Sequence, residues 1–467
     1  MSENPNSRPA AVLVAVQLPD VTDLDHEADL AELKRLVDTL GYEVIATVSQ
    51  KRPSLSPAAV VGEGKLKELS DLTGGKGFVP SGAPSKKDKA RAKRRAIEAD
   101  ADEGVEEVES DSPESGQSSH SPSRKATVVV VDHEITPSQA RNLERATGAE
   151  VLDRTGVIVE IFHRHARSRE AKLEVEIARL KYVAPRLREA GGGGDRQRGG
   201  IGGKGAGESA LELDRRKIRD RIAELREEIA AIQKEQDHRR EARRDQQRVA
   251  LVGYTNAGKS SLMRALTGSE VLVADKLFAT LDTTVRALHP ETKPRVLVSD
   301  TVGFIKKLPH DLVASFRSTL DEAREASLLL YVADASDPTF RGQLEVTRST
   351  LGEIGAAKIA SKLLLNKTDR LSASERKNLA HEFPDAILLS AKDPADVTRL
   401  RDFIVHFFES QMVEGEIFLP YSKQQLVSEV FENCRVLSED YDEKGRKLQV
   451  LAHPKTLSRL SQLTGQL

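Results

Sequence analysis

One stretch of the sequence has the residue types and the spacing of a phosphate-binding loop. RVALVGYTNAGKSSL (248–262) runs from an apolar strand through a glycine loop into a predicted helix, and its Gly-x-x-x-x-Gly-Lys-Ser motif consists of Gly253, Gly258, Lys259 and Ser260. In such a loop, backbone N–H groups and the helix dipole point at a phosphate chain. The lysine neutralises the β- and γ-phosphates, and the serine hydroxyl ligates Mg²⁺. The stretch therefore predicts a site for a nucleoside triphosphate.

A second apolar stretch, RVLVSDTVG (295–303), ends in an Asp-x-x-Gly motif. We expect Asp300 to hold the Mg²⁺ shell, through water or directly, and the N–H of Gly303 to meet the γ-phosphate. Thr301 and Val302 lie between them and are predicted to line the same site. The motif predicts the γ-phosphate side of the nucleotide site.

Two further strand ends predict which base the site accepts. SKLLLNKTD (361–369) ends in Asn-Lys-x-Asp, and ILLSAK (387–392) ends in Ser-Ala-Lys. A carboxylate at Asp369 can accept hydrogen bonds from N1–H and the 2-amino group of guanine, whereas adenine offers neither donor. The base is therefore predicted to be guanine, with its O6 against the backbone of the second motif. The predicted base-binding residues are Asn366, Lys367, Thr368, Asp369, Ser390, Ala391 and Lys392.

A threonine-rich segment, LFATLDTTVR (277–286), lies between the phosphate-binding loop and the Asp-x-x-Gly motif. A switch threonine is needed there to sense the γ-phosphate through Mg²⁺. The residues alone leave Thr280, Thr283 and Thr284 open for that role.

The elements that position these motifs follow one order from 249 to 410. Strand, loop and helix come first, followed by the switch, a strand with Asp-x-x-Gly, a helix, a strand, a helix, a strand with Asn-Lys-x-Asp, a helix, a strand with Ser-Ala-Lys and a helix. This order predicts a P-loop GTPase domain with a doubly wound sheet. The tail, 411–467, mixes helix and strand patterns and predicts a small α+β domain.

Residues 1–162 predict a separate α/β domain. Apolar runs at 11–17, 42–48 and 126–132 indicate strands, and helical periods cover 25–40, 63–73 and 135–148. Their alternation favours a parallel sheet. In the last helix Thr136 is the expected N-cap, Pro137 is the first residue, and Gly148 follows the end. VLD and GVIVEIF, within 151–162, are both predicted to be strands.

Residues 74–126 interrupt this domain with Gly-, Ser- and Pro-rich sequence and blocks of opposite charge. Their composition predicts a disordered insertion that serves as a solvated tether. The basic run KKDKARAKRR (86–95) leaves open a contact with RNA.

Two charged helices, 166–187 and 211–237, are predicted within a domain at 163–248. Apolar residues of the second helix have heptad spacing, so we expect the two to pack as an antiparallel coiled-coil hairpin. The glycine-rich, basic loop between them (191–209) is either a floppy connector or a loop whose backbone approaches RNA phosphates closely, as glycine permits.

Composition limits the class of protein to which the chain belongs. Lys and Arg number 71 against 73 Asp and Glu, so the net charge of −2 excludes a globally basic nucleic-acid binder. Cys434 is the only cysteine, which excludes an intramolecular disulfide and a cysteine-based metal cage. The polar N-terminus lacks the apolar core of a signal peptide, and no apolar run reaches spanning length. These features predict a cytoplasmic protein with no membrane span.

Several of these segments together resemble the HflX family of GTPases, in the Obg–HflX group of translation-associated GTPases. The two most diagnostic segments are ITPSQARNLE (135–144) and GGIGGKGAGES (199–209). The others are VLDRTGVIVEIF (151–162), GYTNAGKSSL (253–262), FATLDTT (278–284) and DTVGFI (300–305). The resemblance covers nearly the whole chain apart from the insertion. It implies a GTPase that binds the RNA and proteins of the large ribosomal subunit and splits or rescues stalled or idle ribosomes. We also expect Mg²⁺ as the cofactor and a monomeric protein.

The resemblance also assigns residues that spacing leaves open. It implies that Thr280 is the switch-I magnesium ligand beside Ser260, and it favours RNA contact for the glycine-rich loop. The further GTP-binding residues that it implies are Tyr254, Thr255, Asn256, Ala257, Phe278, Ala279, Leu281 and Asp282.

The expected catalytic residues are Lys259, Asn256, Thr280, Gly303 and Phe304. Ras-like enzymes place glutamine directly after the motif glycine to orient water, and Phe304 cannot do so by hydrogen bonding. Slow intrinsic turnover, stimulated by the ribosome, is therefore predicted, and packing in the core is the alternative role of Phe304. Asn256 resembles the asparagine of potassium-stimulated GTPases, which makes K⁺ a candidate substitute for an arginine finger. Otherwise Asn256 only shapes the loop.

Another class of function stays open on the sequence. The chain could be an RNA-binding ribosome assembly or anti-association factor that uses GTP mainly as a ligand. A tRNA-modifying GTPase would need a catalytic cysteine or a cofactor domain, and the position of Cys434 in the tail argues against it.

Overall fold

The structure, a computed structural model, covers the larger part of the chain. It describes residues 8–79, 124–187, 210–241, 246–268, 277–278, 284–307 and 317–465. The chain divides into two compact units, Met1–Val157 and Ile158–Leu467. Within the described ranges, no helix combines the length and the apolar character that crossing a membrane requires.

The N-terminal unit is built on a four-stranded parallel sheet, as the alternation of strands and helices predicts. Its strands are β1 Ala10–Gln17, β2 Glu43–Lys51, β3 Val128–Val131 and β4 Glu150–Asp153, in the order β2-β1-β3-β4. Its helices are α1 Asp23–Thr39, α2 Glu63–Thr73 and α3 Pro137–Thr147. Valines of β1 and β3 pack with leucines of α2 and α3 in one apolar core. Residues 80–123 of the predicted insertion lie outside the described residues.

Both predicted ends of α3 are confirmed. The Thr136 hydroxyl accepts a hydrogen bond from the N–H of Gln139 at 3.2 Å, and the Gln139 side chain accepts one from the N–H of Thr136 at 2.9 Å. This reciprocal capping satisfies two donors that the first helical turn leaves unpaired. At the other end Gly148 adopts a left-handed φ of 67°, a conformation that glycine adopts without strain.

The prediction of a strand over GVIVEIF is wrong, because Arg154–His165 forms helix α4 directly after β4. The Asp153 carboxylate accepts a hydrogen bond from the N–H of Gly156 at 2.8 Å. The Arg154 guanidinium pairs with buried Asp132 at 2.7 Å, which fixes the start of the helix. A short apolar run suits a buried helix as well as a strand. The buried apolar residues of the run are Val157, Ile158, Val159, Ile161 and Phe162.

Two further helices pack antiparallel as predicted. They are α5, Arg169–Val183, and α6, Ala210–Glu241. Arg169 pairs with Glu228 at 3.2 Å, and Glu176, further along α5, pairs with Arg221, earlier in α6, at 3.1 Å. The two helices therefore run in opposite directions. The apolar seam between them consists of Leu173, Ile177, Leu180, Ile222, Leu225, Ile229 and Ile232.

The first helix of this hairpin is shorter than the predicted 166–187. The Ser168 side chain caps α5 by accepting from the N–H of Ala171 at 3.1 Å, and a 3₁₀ turn over Ala184–Arg186 follows the helix. The glycine-rich loop at 191–209 lies outside the described residues.

The GTPase fold predicted from the motif order is confirmed in a six-stranded sheet. Its strands are β5 Gln247–Gly253, β6 Thr284–Ala287, β7 Val296–Asp300, β8 Leu328–Asp334, β9 Ser361–Asn366 and β10 Ile387–Leu388, in the order β10-β9-β8-β5-β7-β6. Only β6 pairs antiparallel among these strands. The helices are α7 Lys259–Thr267, α8 Arg317–Arg324, α9 Phe340–Glu353, α10 Ala373–Glu382 and α11 Pro394–Glu409.

Helices cover both faces of this sheet, which makes it doubly wound. Leu364 belongs to an apolar core with α7 and α11, and the next residue, Leu365, belongs to a second core with α9 and α10. Successive strand residues point to opposite faces, so the two cores lie on opposite sides.

The last part of the chain is the predicted small α+β domain. An antiparallel sheet in the order β11-β13-β12 contains β11 Val413–Pro420, β12 Arg435–Asp442 and β13 Gly445–Ala452. Its helices are α12 Val427–Asn433 and α13 Pro454–Thr464. Cys434 lies in its core, where burial raises the pKa of the thiol to about 11.

Candidate functional site

The candidate site lies at the carboxyl edge of the six-stranded sheet. The phosphate-binding loop follows β5, and the Asp-x-x-Gly motif begins at the last residue of β7, the neighbour of β5. The Asn-Lys-x-Asp and Ser-Ala-Lys motifs follow β9 and β10, which are also neighbours. Parallel strands end at one edge of a sheet, where α/β proteins bind their ligands.

The shape of the phosphate-binding loop requires glycine at its end. Gly258 has a φ of +96°, and a Cβ built there would lie 2.2 Å from Nδ2 of Asn366. Asn256 also adopts a left-handed φ, 60°. A loop wound in this way turns successive N–H groups toward a common centre, as an anion-binding loop requires.

Lys259 begins α7 and is buried. Its Nζ donates to the carbonyl oxygens of Gly253 at 3.1 Å and Tyr254 at 2.9 Å. Burial lowers the pKa of Lys259 to about 8, while the charge of Asp300 acts in the opposite direction. The cation is therefore held inside the loop.

The side-chain oxygens of Ser260 and Asp300 lie close together. The Ser260 hydroxyl donates to Oδ2 of Asp300 at 2.7 Å, and the Asp300 side chain is fully buried. Mg²⁺ prefers oxygen ligands of this kind. Thr280, the other predicted ligand, lies with Ala279, Leu281 and Asp282 outside the described residues.

The segment after Asp300 pairs with the phosphate-binding loop through its backbone. The N–H of Thr255 donates to the carbonyl of Phe304 at 2.8 Å, and the N–H of Phe304 donates to the carbonyl of Gly253 at 3.1 Å. The Tyr254 hydroxyl accepts from the N–H of Lys306 at 2.7 Å. The Phe304 ring is 2% exposed, so Phe304 packs in the interior and presents its backbone to the loop.

Two residues of the Asn-Lys-x-Asp motif connect separate loops. Asn366 is buried; its Nδ2 donates to the carbonyl of Ala257 at 2.8 Å and its Oδ1 accepts from the N–H of Ala391 at 3.1 Å. Lys367 donates from Nζ to the carbonyl of Asn256 and to Oδ2 of Asp334, each at 2.7 Å. The phosphate-binding and Ser-Ala-Lys loops are therefore tied to the end of β9.

Asp369 lies at the opening of this arrangement. Its Oδ1 accepts from the Ser390 hydroxyl at 2.8 Å, and its Oδ2 lies 3.8 Å from Nζ of Lys392. The Ser390 hydrogen bond, with smaller contributions that include the Lys392 charge, holds the pKa of Asp369 below its usual value. The carboxylate is ionised and can accept hydrogen bonds. Asp369 lies within a 3₁₀ turn that begins at Thr368.

Near its start, the switch segment makes an aromatic contact within the described residues. The ring of Phe278 packs edge-on against Phe162 of α4, with ring centroids 4.6 Å apart. Both side chains are buried. The second residue of the predicted switch segment is therefore held against a helix outside the GTPase fold.

Sequence reasoning missed two of these partners. Asp334 binds Lys367 and Phe162 binds Phe278. Asp334 ends an apolar strand, LLLYVAD, at the same sheet edge as Asp300. Its position at a strand end could have indicated that it belongs to the site. Phe162 gave no such signal, because its run was predicted to be a strand.

Comparison with known proteins gives matches along most of the chain. Three family models match: "GTP-binding GTPase N-terminal" at 27–78 and 116–163, "GTP-binding GTPase Middle Region" at 165–243, and "50S ribosome-binding GTPase" at 248–367. The GTPase HflX of Gluconacetobacter diazotrophicus is 64% identical over 97% of this chain and 97% of its own length. The chain belongs to the HflX family of GTPases.

Membership in the HflX family makes the chain a GTP hydrolase. The GTPase HflX of Escherichia coli is 34% identical over 93% of this chain and 91% of its own length. A solved GTP-binding protein of Sulfolobus solfataricus in complex with GDP covers 85% of this chain and 98% of its own, with 21% identity and a TM-score of 0.42.

Proposed function

We propose that this chain is a GTPase that binds the large ribosomal subunit and splits or rescues stalled ribosomes according to its bound nucleotide. The observation that carries the nucleotide site is the bridge made by Asn366, which joins the loop predicted to hold the phosphates to the loop predicted to hold guanine. In this site Lys259 neutralises the phosphates, Gly303 meets the γ-phosphate through its N–H, and Asp369 binds the base.

The pair of Ser260 and Asp300 suits Mg²⁺, with Thr280 as the switch ligand. Bound Mg²⁺ would neutralise charge that develops on the β- and γ-phosphate oxygens. The Ser260 hydroxyl would then turn from Oδ2 of Asp300, 2.7 Å away, toward the metal. The Asp300 carboxylate would order the shell around the metal, and Lys259 would neutralise the negative charge that builds up on the β-phosphate oxygen as GDP leaves.

Nucleotide affinity is expected to fall as the pH rises above about 8, the lowered pKa of Lys259. Below that pH the lysine is already charged in the nucleotide-free protein. Above it, binding must first take up a proton, because phosphates raise the pKa again, and affinity falls by up to about tenfold per pH unit. Calorimetry of GDP binding at pH 8, in two buffers of different ionisation enthalpy, should give about half a proton taken up per nucleotide. Binding with no proton uptake would contradict this pKa.

Hydrolysis is expected to be faster in KCl than in NaCl of equal ionic strength, by about tenfold or more. The Lys367 contact to the carbonyl of Asn256 at 2.7 Å holds this loop residue in its left-handed conformation. A side-chain amide fixed there can contribute an oxygen ligand to K⁺. Asn256→Ala should remove the difference, and Asn433→Ala, in the C-terminal domain, should keep it. Equal wild-type rates in both salts would refute the role.

The ribosome is the proposed partner because the family model that matches the GTPase domain is described as a 50S ribosome-binding GTPase. The contact between Phe162 and Phe278 supports coupling, since a change in the switch segment would reach α4 directly. GTP would order the switch segments in a state that favours the ribosome, and hydrolysis would release it. We propose further that the chain acts in the cytoplasm as a monomer.

Sedimentation and light scattering test this function. The full chain is mixed with intact ribosomes in the presence of a non-hydrolysable GTP analogue, GDP or no nucleotide. We expect co-sedimentation to be at least about tenfold tighter with the analogue than with GDP, because only the triphosphate orders the switch. Light scattering should fall as subunits separate. An assembly factor that uses GTP only as a ligand would bind isolated large subunits and leave the scattering of intact ribosomes unchanged.

A further inference from the structure

One buried hydroxyl in the phosphate-binding loop has no hydrogen-bond partner among the described residues. It is Oγ1 of Thr255, the third residue of the loop, whose side chain is 7% exposed. The backbone N–H of the same residue is bonded to the carbonyl of Phe304 at 2.8 Å. A buried hydroxyl without a partner disfavours the state that contains it. The Thr255 hydroxyl is therefore a donor that a bound group could satisfy.

The neighbours of Thr255 are the groups assigned to the γ-phosphate. A Cβ built on Gly303 would lie 2.8 Å from both Cα and Cγ2 of Thr255 and 3.1 Å from Nζ of Lys259. Gly303 thus lies directly against the threonine and beside the lysine. The Phe304 backbone pairing holds Gly303 in that position. A terminal phosphate placed between Lys259 and Gly303 would reach the space next to Thr255.

Three other side chains near Thr255 and Gly303 do not offer an uncharged hydrogen-bond donor that would distinguish GTP from GDP. Lys259 is a point charge that attracts both the β- and the γ-phosphate. Phe304 is apolar and buried. The Ser260 hydroxyl is engaged with Asp300. The Thr255 hydroxyl is a buried neutral donor of the loop with no partner among the described residues.

We propose that Thr255 is a specificity-determining residue whose hydroxyl hydrogen-bonds the γ-phosphate of GTP and so favours GTP over GDP. Gly303 packs on Thr255, and the hydroxyl has no partner among the described residues. A γ-phosphate that accepts from the N–H of Gly303 would lie beside the threonine and would give the hydroxyl its partner. GDP lacks that group and leaves the hydroxyl as it is. This inference rests on the nucleotide site of the proposed function.

Two substitutions of Thr255 test the proposal. Thr255→Val keeps the shape and removes the hydroxyl, and Thr255→Ser keeps the hydroxyl. Fluorescence titration of the full chain with a GTP analogue carrying an imido group between the β- and γ-phosphates, and separately with GDP, gives both affinities. We expect Thr255→Val to weaken binding of the analogue about tenfold and to change GDP binding less than twofold, because only one hydrogen bond is lost. Thr255→Ser should bind both like the wild type.

Thermal unfolding without nucleotide separates this role from a structural one. Thr255→Val should unfold at the wild-type temperature or above it, because a methyl group replaces an unpartnered hydroxyl. A lower unfolding temperature, an equal loss of affinity for both nucleotides, unchanged affinity for both, or a serine variant that behaves like the valine variant would each overturn the proposal. In all of these cases the wild type still binds nucleotide. A wild-type chain that binds neither nucleotide would overturn the site itself and this inference with it.

Discussion

Asp369→Asn is expected to weaken GTP binding by about 10²- to 10⁴-fold. The carboxylate is ionised, because the Ser390 hydrogen bond and the Lys392 charge hold its pKa low. It can accept two hydrogen bonds from guanine, and each bond to a charged acceptor contributes about 1.5–3 kcal/mol. An asparagine amide turns an N–H toward one of the guanine donors and loses the charge. Titration of the variant with a fluorescent GTP measures the effect.

The same variant should accept xanthosine triphosphate better than the wild type does. Xanthine carries an oxygen in place of the 2-amino group, and an asparagine can donate to that oxygen while it accepts from N1–H. Asp402→Asn is the matched control, because Asp402 is an exposed aspartate of α11 whose partner is Arg401. The control should bind GTP normally. If Asp369→Asn bound GTP as tightly as the wild type, guanine recognition would have to lie elsewhere.

Asn366→Ala is expected to lower both the stability of the GTPase domain and its affinity for nucleotide. Both side-chain hydrogen bonds of Asn366 are made with backbone groups of other loops. The substitution leaves the carbonyl of Ala257 and the N–H of Ala391 without this partner in a buried site. Each unsatisfied buried group costs about 1–3 kcal/mol. We expect a loss of about 2–5 kcal/mol in the free energy of unfolding of the GTPase domain and a loss of about 10²-fold in GDP affinity. Denaturant unfolding and GDP titration measure the two quantities.

Asn433→Ala is the control for this prediction. The Asn433 amide donates to the carbonyl of Glu429 at 2.8 Å in the C-terminal domain, so one helix-end hydrogen bond is lost there. GDP affinity should be unchanged in this variant. GDP binding by Asn366→Ala at the wild-type level would mean that the two loops keep their places without the bridge.

The short-range features of this protein were predictable because their interactions join residues close in sequence. The capping of α3 depends on Thr136 and Gln139, three residues apart, and both ends of the helix follow from the sequence. The phosphate-binding loop is likewise defined by the spacing between Gly253 and the Gly258-Lys259 pair after an apolar strand. The motif order then predicts the doubly wound sheet, since parallel strands require helical crossovers.

The apolar run after Asp153 shows where local pattern is insufficient. Its β-branched residues favour a strand, yet burial on all sides allows a helix equally well. Contacts from elsewhere in the chain decide the outcome: Asp132 pairs with Arg154, and Phe278 packs on Phe162. The first of these partners precedes the helix by 22 residues and the second lies in another domain of the sequence.

The sequence by itself determined which residue types the candidate site contains, and from them we predict a phosphate loop, oxygen ligands for Mg²⁺ and a carboxylate for guanine. Only the tertiary structure decided how these parts are joined. The Asn366 bridge connects residues 109 positions apart. Thr255 and Gly303, which lie against each other, follow the ends of two different strands. The physical reason is that the residue type determines which hydrogen bonds a side chain can make. Its actual partner depends on which distant segments the fold brings within about 3 Å of it.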